Sequence, residues 1–356
     1  MYLVDRYLTL RCLAAITLVM LSLTGLTLLF ALVEELGERQ SSYSLADAIY
    51  YVLLTGPRRF DELLTYGVFL GVLLALGDLA EHGELTAMRA AGASATRLFM
   101  ALVPTLIFWL VISISLSETI APSSEEKAER QKLGAQFGED ALAQRGGLWF
   151  GDGGLYMQIK SIGSDGTLKD IVQYHVDDQN QLQRSIRAQA GIFDTQTETW
   201  TLRNGSLSVL SETDVQSTDF EQRLWKNPVT PAQLANQAFL EPRRMPLSRV
   251  LLQIRLLERQ SLDATDYGLV FWNRLLKPLT FAGMALLALA IALGPLRDTG
   301  VGQRIAMGIF IGLGFKYLQD LFAPTAIVFG TPPWLAVGLP ALIFIGTAIL
   351  LIRRQA

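Results

Sequence analysis

A single cysteine, Cys12, rules out both an intramolecular disulfide and a cysteine metal cluster. Histidine is almost as scarce: His82 and His175 are the only two, far apart in the chain, which argues against a histidine-built metal site. Charge is thin as well, with Asp, Glu, Lys and Arg making up 18% of 356 residues and a formal net charge of −3. That balance leaves no basic footprint for nucleic acid. The motifs of common catalytic centres are also missing. There is no G-x-x-x-x-G-K-S/T phosphate loop, no H-E-x-x-H and no G-x-S-x-G. The sequence therefore predicts no catalytic residue, no metal and no cofactor held by this chain. A chain without chemistry of its own is more readily a conduit, receptor or scaffold.

What the sequence does have is apolar residues, 51% of the total, gathered into long uncharged runs. A soluble protein of this length would disperse them as amphipathic helices and strands. From Cys12 to Val33 no charge interrupts 22 positions, and a helix that long covers about 33 Å, enough for the hydrocarbon core. The run is too long for the apolar core of a cleaved signal peptide, and no small-x-small cleavage site follows it. Further spans are expected at Leu63 to about Ala80, Leu98 to Ser117, Pro278 to Leu296, and about Val301 to Phe322. Pro324, Gly330, Pro332 and Pro333 break the last uncharged stretch, so the sixth helix is expected to start near Trp334 and reach Ile352.

Short loops rich in Lys and Arg favour the cytoplasm. Arg6 with Arg11, Arg89 with Arg97, Arg297 with Arg304, and Arg353 with Arg354 all fall on one side if the count is six. Arg39, Arg58 and Arg59 fall on the other, among acidic residues. The pattern predicts two cytoplasmic termini and places the region between the third and fourth spans outside.

That region reads differently. A charged, helix-compatible stretch from Glu125 to Arg145 leads into short strands at Gly147 to Phe150, Leu155 to Ile159, Ile171 to Val176, Gln181 to Arg187, Gly191 to Asp194, Thr199 to Arg203 and Leu207 to Leu210. Gly151 to Gly154 and Asn204-Gly205 carry turn signals. Strands at this spacing suggest a sandwich or jelly roll, with Trp149, Phe193, Trp200 and Trp225 as core residues. From Pro246 onward Leu247, Leu251, Ile254 and Leu257 return to helical spacing, broken near Gln260 to Asp263, as in an elbow leading to the fourth span. The expected organisation is 1–124 with spans one to three and a cytoplasmic helix at about 79–96, a β domain over 125–245, and the elbow with spans four to six over 246–356. The expected fold class is a membrane α-helical protein of six transmembrane helices with an inserted periplasmic all-β jelly-roll domain.

The cytoplasmic segment between spans two and three is rich in helix formers from Glu84 to Ala91, with Leu85 and Met88 on one face and Glu84 and Arg89 charged. Gly92 suits the left-handed conformation that ends a helix. Such a helix fits a groove on a soluble partner; an ordinary interfacial loop is the bland alternative.

Glu84-Leu-Thr-Ala-Met-Arg-Ala-Ala-Gly92 resembles the E-L-x-x-M-x-A-x-G coupling segment of the LptF/LptG (YjgP/YjgQ) permeases. Asp5-Arg-Tyr7, Gly147-Leu-Trp-Phe-Gly-Asp-Gly153, Gly294-Pro-Leu-Arg297, Asp320-Leu-Phe-Ala-Pro324 and Gly330-Thr-Pro-Pro333 are similar to that family as well, in order across almost the whole chain. The LptG branch fits better, chiefly through 294–333. The resemblance implies a permease subunit of an ATP-driven lipopolysaccharide exporter in the bacterial inner membrane, pairing with an LptF-like permease. A cytoplasmic LptB-like ATPase dimer would hold the ATP and Mg, LptC would join from the membrane, and the periplasmic jelly roll would pass lipopolysaccharide to LptA. By the same resemblance Glu84, Leu85, Met88, Arg89 and Gly92 contact the ATPase, and the first and fifth spans form lateral gates. A membrane-anchored scaffold or receptor, whose β domain binds a lipid or protein without transport, is the competing class.

LptG-type permeases can carry a basic residue in the first span that meets lipid phosphate, and Cys12 to Val33 has none. Lys316, with Asp320 one turn on, is the candidate replacement in the fifth span, flanked by Phe315 and Phe322 as further residues of a substrate path. Snorkelling of Lys316 to the nearby membrane surface is the alternative.

Overall fold

The computed structural model describes residues 2–37, 44–137, 148–152, 154–162, 167–177, 181–194, 197, 199–210, 214–225, 242–259, 263–294 and 300–355. Arg39, Gly147, Arg297 and the break expected at 260–262 lie outside these residues, as does the side chain of Trp149. The chain divides into two compact units, one of 1–34, 52–125 and 242–356, the other of 35–51 and 126–241.

The apolar runs form helices longer than themselves: α1 (Tyr2–Gly37), α2 (Leu45–Glu81) and α4 (Ala95–Ser115). Helices stop at a stop signal and not where apolarity fades. α4 therefore runs on through one π-helical turn, Leu116–Ile120, into α5 (Ala121–Phe137). Between α2 and α4 sits the seven-residue α3 (Glu84–Ala90). After a 3₁₀ turn at Pro242–Arg244 come α6 (Leu247–Arg259), α7 (Thr265–Leu275), α8 (Lys277–Leu293), α9 (Val301–Phe329) and α10 (Pro333–Gln355). Five helices, α1, α2, α4 with its continuation, α9 and α10, are long and apolar enough to cross a membrane; α7 and α8, bent by 52° at their junction, bring the number to six if the pair crosses as one broken span.

Pro324 does not break the fifth span. α9 passes through it and ends at Gly330, whose φ of 65° is the left-handed cap. Just past the proline the Thr325 hydroxyl donates to the Phe322 carbonyl at 2.6 Å. The sixth span starts one residue before Trp334, with Pro333 in the first helical position, where its missing N–H costs nothing.

α8 is the central helix, with its residues from Thr280 to Leu293 almost all buried. Leu64, Val68, Val72 and Leu76 of α2 join the same core, as do Leu98, Leu102 and Trp109 of α4. α1 contributes Leu8, Cys12, Ile16 and Met20 along one stripe only, leaving Leu18, Leu21 and Phe30 exposed. α9 likewise holds Phe310, Tyr317 and Leu321 outward. The α1 stripe meets α2 at Gly67 and Gly71, spaced like the small residues that let membrane helices touch backbone to backbone. A Cβ on Gly71 would lie 2.6 Å from the Ile16 Cα.

The second unit contains the all-β insert. β1 (Leu148–Asp152), β2 (Leu155–Ile162), β3 (Leu168–Val176), β4 (Leu182–Asp194), β5 (Thr199–Leu210) and β6 (Val215–Trp225) form one antiparallel sheet in chain order. The strands follow one another as a meander, with only a few residues of sequence between each and the next. The pairs expected at 181–194 and 199–210 are single strands. Asn204-Gly205 does not turn. Asn204 has φ 49° inside β5 and Gly205 lies between β4 and β6, where a Cβ would run into the Arg187 carbonyl oxygen and the Phe220 ring. Asp170, with φ 50°, occupies the same transverse row of the sheet, opposite Lys160 and Gln189, so the kinks in β3 and β5 align into a crease. Beside it Met157, Ile159, Ile171, Ile186, Trp200 and Leu202 form the core. Phe193 and Trp225 stack against Trp200 with ring centroids 5.1 and 6.1 Å away.

His175 in β3 gives this unit a pH dependence. Burial lowers its pKa below 6.5, and Arg184 and Arg223 add to the effect. The folded state therefore favours the neutral ring, and the unfolded state binds the proton more readily. The contribution to stability is complete above pH 6.5 and is lost as pH falls below it. Limited proteolysis of the insert in the full-length protein is expected to speed up between pH 6.5 and 5, and His175→Gln is expected to flatten that response.

Candidate functional site

One end of the helical unit gathers the start of α1, the end of α2, all of α3, the start of α4, the ends of α8 and α10, and the start of α9. Asp5 and Arg97 join α1 to α4 with Oδ2 and Nη2 2.8 Å apart, and the Thr9 hydroxyl donates to the Ala101 carbonyl at 2.9 Å. Ser94 caps α4 by accepting from the Arg97 N–H at 3.2 Å. Asp5 thus has a structural reason to be where it is.

α3 is held between two left-handed glycines, Gly83 with φ 76° and Gly92 with φ 91°. A side chain at either would be strained, so the helix starts and stops sharply. Leu85 is 2% exposed and is turned into the bundle core, with Met88 packed beside it. Glu84 is half-buried, whereas Thr86, Ala87, Arg89, Ala90 and Gly92 are exposed. The five residues singled out in this segment therefore divide: Leu85 anchors the helix, Met88 sits at its edge, and Glu84, Arg89 and Gly92 remain for a surface. Behind α3 lies a cavity of about 310 Å³ lined by Arg89, Gly92, Ala93, Ser94, Ala95, Leu293 and Ile352. At the adjoining edge His82 donates through Nδ1–H to the Asp78 carbonyl at 2.9 Å. That bond and the Asp78 carboxylate raise the histidine pKa above 6.5.

On α9, Lys316 and Asp320 are both about half exposed and pair with each other at 2.5 Å. Phe322 is half-buried, and Phe315 is buried, edge-on to Phe344 of α10 at 4.9 Å. The structure therefore brings Lys316 and Asp320 together on the outer face and uses Phe315 to pack two spans.

The opposite end carries a polar lattice that the reading of the sequence missed. Asp61 of α2 accepts from Lys277 Nζ at 2.6 Å and from the Ser113 hydroxyl of α4. Glu118, in the π-helical turn, accepts from the Leu247 N–H at 2.8 Å at the start of α6 and faces Arg274 of α7 at 3.4 Å. Arg58 bonds Glu62 and the buried Glu125 at 2.8 Å each, and Arg244 also meets Glu125, at 3.4 Å. The signal available in the sequence was charge bordering an apolar run, as at Asp61, Glu118 and Lys277. In the β unit, a cleft of about 810 Å³ follows the crease and is lined by Lys160, Asp170, Arg187, Gln189, Asn204 and Asp219 among others. Charges of both signs make it a poor shelter for acyl chains.

With this geometry in place, comparison with known proteins gives one answer. Residues 6–354 match the family model for the lipopolysaccharide export system permease LptF/LptG. The lipopolysaccharide export system permease protein LptG of Escherichia coli K12 is 29% identical over 354 residues, covering 99% of this chain and 98% of that protein. Its counterpart from Haemophilus influenzae is 28% identical over 352 residues, with the same coverage.

Proposed function

Because the chain belongs to the LptF/LptG family of lipopolysaccharide export permeases, we propose that it is the LptG-like subunit of an ATP-driven exporter in the bacterial inner membrane. It extracts lipopolysaccharide from the outer leaflet and passes it to a periplasmic bridge. ATP and Mg belong to a cytoplasmic LptB-like ATPase dimer, and an LptF-like permease, LptC and LptA complete the route. Both termini and α3 face the cytoplasm, and the β unit faces the periplasm.

The observation that carries this reading is α3 itself: a short helix anchored by Leu85, bounded by two left-handed glycines, with Arg89 exposed and Glu84 half-buried at its start. A rigid projection of that kind suits docking into a groove of a moving partner. The energy demand agrees, since each CH₂ of an acyl chain costs about 0.8 kcal/mol to expose to water, and extraction needs an outside source. The outward apolar faces of α1 and α9 suit lateral contact with a second permease. Each end strand of the described sheet, β1 and β6, has one free edge among the described strands, and such an edge can accept a strand from another protein.

The test is copurification. The intact chain with its partner permease is expected to retain the ATPase, and Glu84→Ala with Arg89→Glu is expected to weaken that retention at least tenfold, about 1.4 kcal/mol. The membrane-embedded permease pair should survive unchanged. Full retention of the ATPase by the double variant would remove α3 from the interface.

A further inference from the structure

Arg304 is the fourth residue of α9, and its side chain is 1% exposed. A cation in the first turn lies at the wrong end of its own helix dipole, so its stabilisation must come from elsewhere. It comes from α2. The arginine stem lies flat on Gly77, where an added Cβ would sit 2.6 Å from Cδ and 2.8 Å from Nε. Nη1 reaches within 3.0 Å of the Glu81 carboxylate. Glu81 is the last residue of α2, where the helix dipole is negative. Among the described residues no guanidinium nitrogen has an aligned hydrogen-bond partner, so the ion pair and the field of that helix end are what offset its burial. Only His82 and Gly83 separate Glu81 from α3. The arginine therefore grips α2 at the point where α3 is mounted.

We infer that Arg304 is a positioning residue that carries displacement of α3, through the end of α2, into α9. The inference rests on the reading of α3 as the ATPase contact, and it assigns α9 as the span that first receives the motion. A flexible joint at this point would let α3 swing on its glycines without moving a span; a buried guanidinium seated in the Gly77 notch makes the joint stiff.

The test uses the assembled complex of both permeases, the ATPase and the membrane partner, reconstituted in proteoliposomes with lipopolysaccharide. ATP hydrolysis and lipopolysaccharide released per ATP are measured separately. Arg304→Gln is expected to leave hydrolysis within about twofold while release per ATP falls roughly tenfold, inside the range found for mutations that alter coupling between sites. Arg304→Lys keeps the charge but loses the planar fork, and should fall between. Gly77→Ala retains the arginine but displaces its stem, and should reproduce the uncoupling. Unchanged release per ATP in both Arg304→Gln and Gly77→Ala would overturn the inference. Loss of the assembled complex in both would overturn it too, because the residue would then hold the fold and not carry motion. Glu84→Ala with Arg89→Glu, run alongside, separates the two ideas. If that variant keeps its ATPase, the docking reading fails. If it loses the ATPase while Arg304→Gln stays coupled, only the role of Arg304 fails.

Discussion

Gly71→Leu is expected to lose most of its folded protein in detergent extracts and to show the largest fall in melting temperature of any single substitution in the helical unit. The reason lies in what a side chain at that position would meet. A Cβ would sit 2.6 Å from Ile16 Cα and 2.8 Å from Ile16 N, and both belong to the α1 backbone, which cannot turn aside. At Gly67, one turn earlier, the obstacle is the Met20 side chain, which can change rotamer. Lipid tails are as apolar as the helix surfaces, so helices stay together in a bilayer through close contact and not through hydrophobic sequestration. Separating α1 from α2 would open the seam of Leu8, Cys12, Ile16 and Met20, each no more than 1% exposed. An overpacked core ordinarily costs about 1–3 kcal/mol, and an obstacle made of backbone belongs at or above the top of that range. Gly67→Ala should cost about 1 kcal/mol. Thermal unfolding of the two variants, read with the yield of monodisperse protein, checks the order. Equal melting of Gly71→Leu and the parent would mean that the seam is not closely packed.

The long spans were legible because a run such as Cys12 to Val33 has one physical explanation at that length. The Gly67-x-x-x-Gly71 spacing was equally plain, yet reading the second run for length alone hid which helix it would touch. In the insert the difficulty was of another kind. Alternation of apolar and polar residues changes phase within β4 and β5: Ile186 and Ala188 are buried, then Gly191, and Trp200 and Leu202 are buried, with Leu207 packed on the same core. A phase change in sequence looks like the end of one strand and the start of another. Here it marks a crease crossed by unbroken strands, and only the register of the neighbours distinguishes the two.

The coupling segment shows the same boundary between pattern and partner. Helix formers and Gly92 predicted α3, and the structure has it, but the pattern did not show that Leu85 anchors while Arg89 projects. Arg304 read simply as one basic residue in a loop-side cluster. Its burial depends on the notch at Gly77, more than two hundred residues earlier in the chain, and no local pattern carries that information.

Removal of either half of the Asp61–Lys277 pair is expected to be the second large loss. Both side chains are 16% exposed, Nζ and Oδ1 lie 2.6 Å apart, and Ser113 holds the same carboxylate oxygen. Deleting one partner of a buried pair leaves an uncompensated charge and costs about 3–5 kcal/mol, whereas an exposed pair contributes about 0–1 kcal/mol. Residual solvent contact places this pair toward the lower end of the buried range, so Lys277→Met should lose about 3 kcal/mol. Asp61→Leu should lose a similar amount, since it strands the lysine at the junction where α7 bends into α8. The double variant Asp61→Leu with Lys277→Met leaves no charge unpaired, and its loss should be smaller than that of either single change. Lys160→Met, which removes the 60% and 61% exposed pair with Asp170 on the β unit, supplies the contrast and should cost less than about 1 kcal/mol. Unfolding measured for all four in one detergent decides the matter. If the double variant is as unstable as the sum of its singles, the two residues act independently and the lattice does not tie α2, α4 and α8 together.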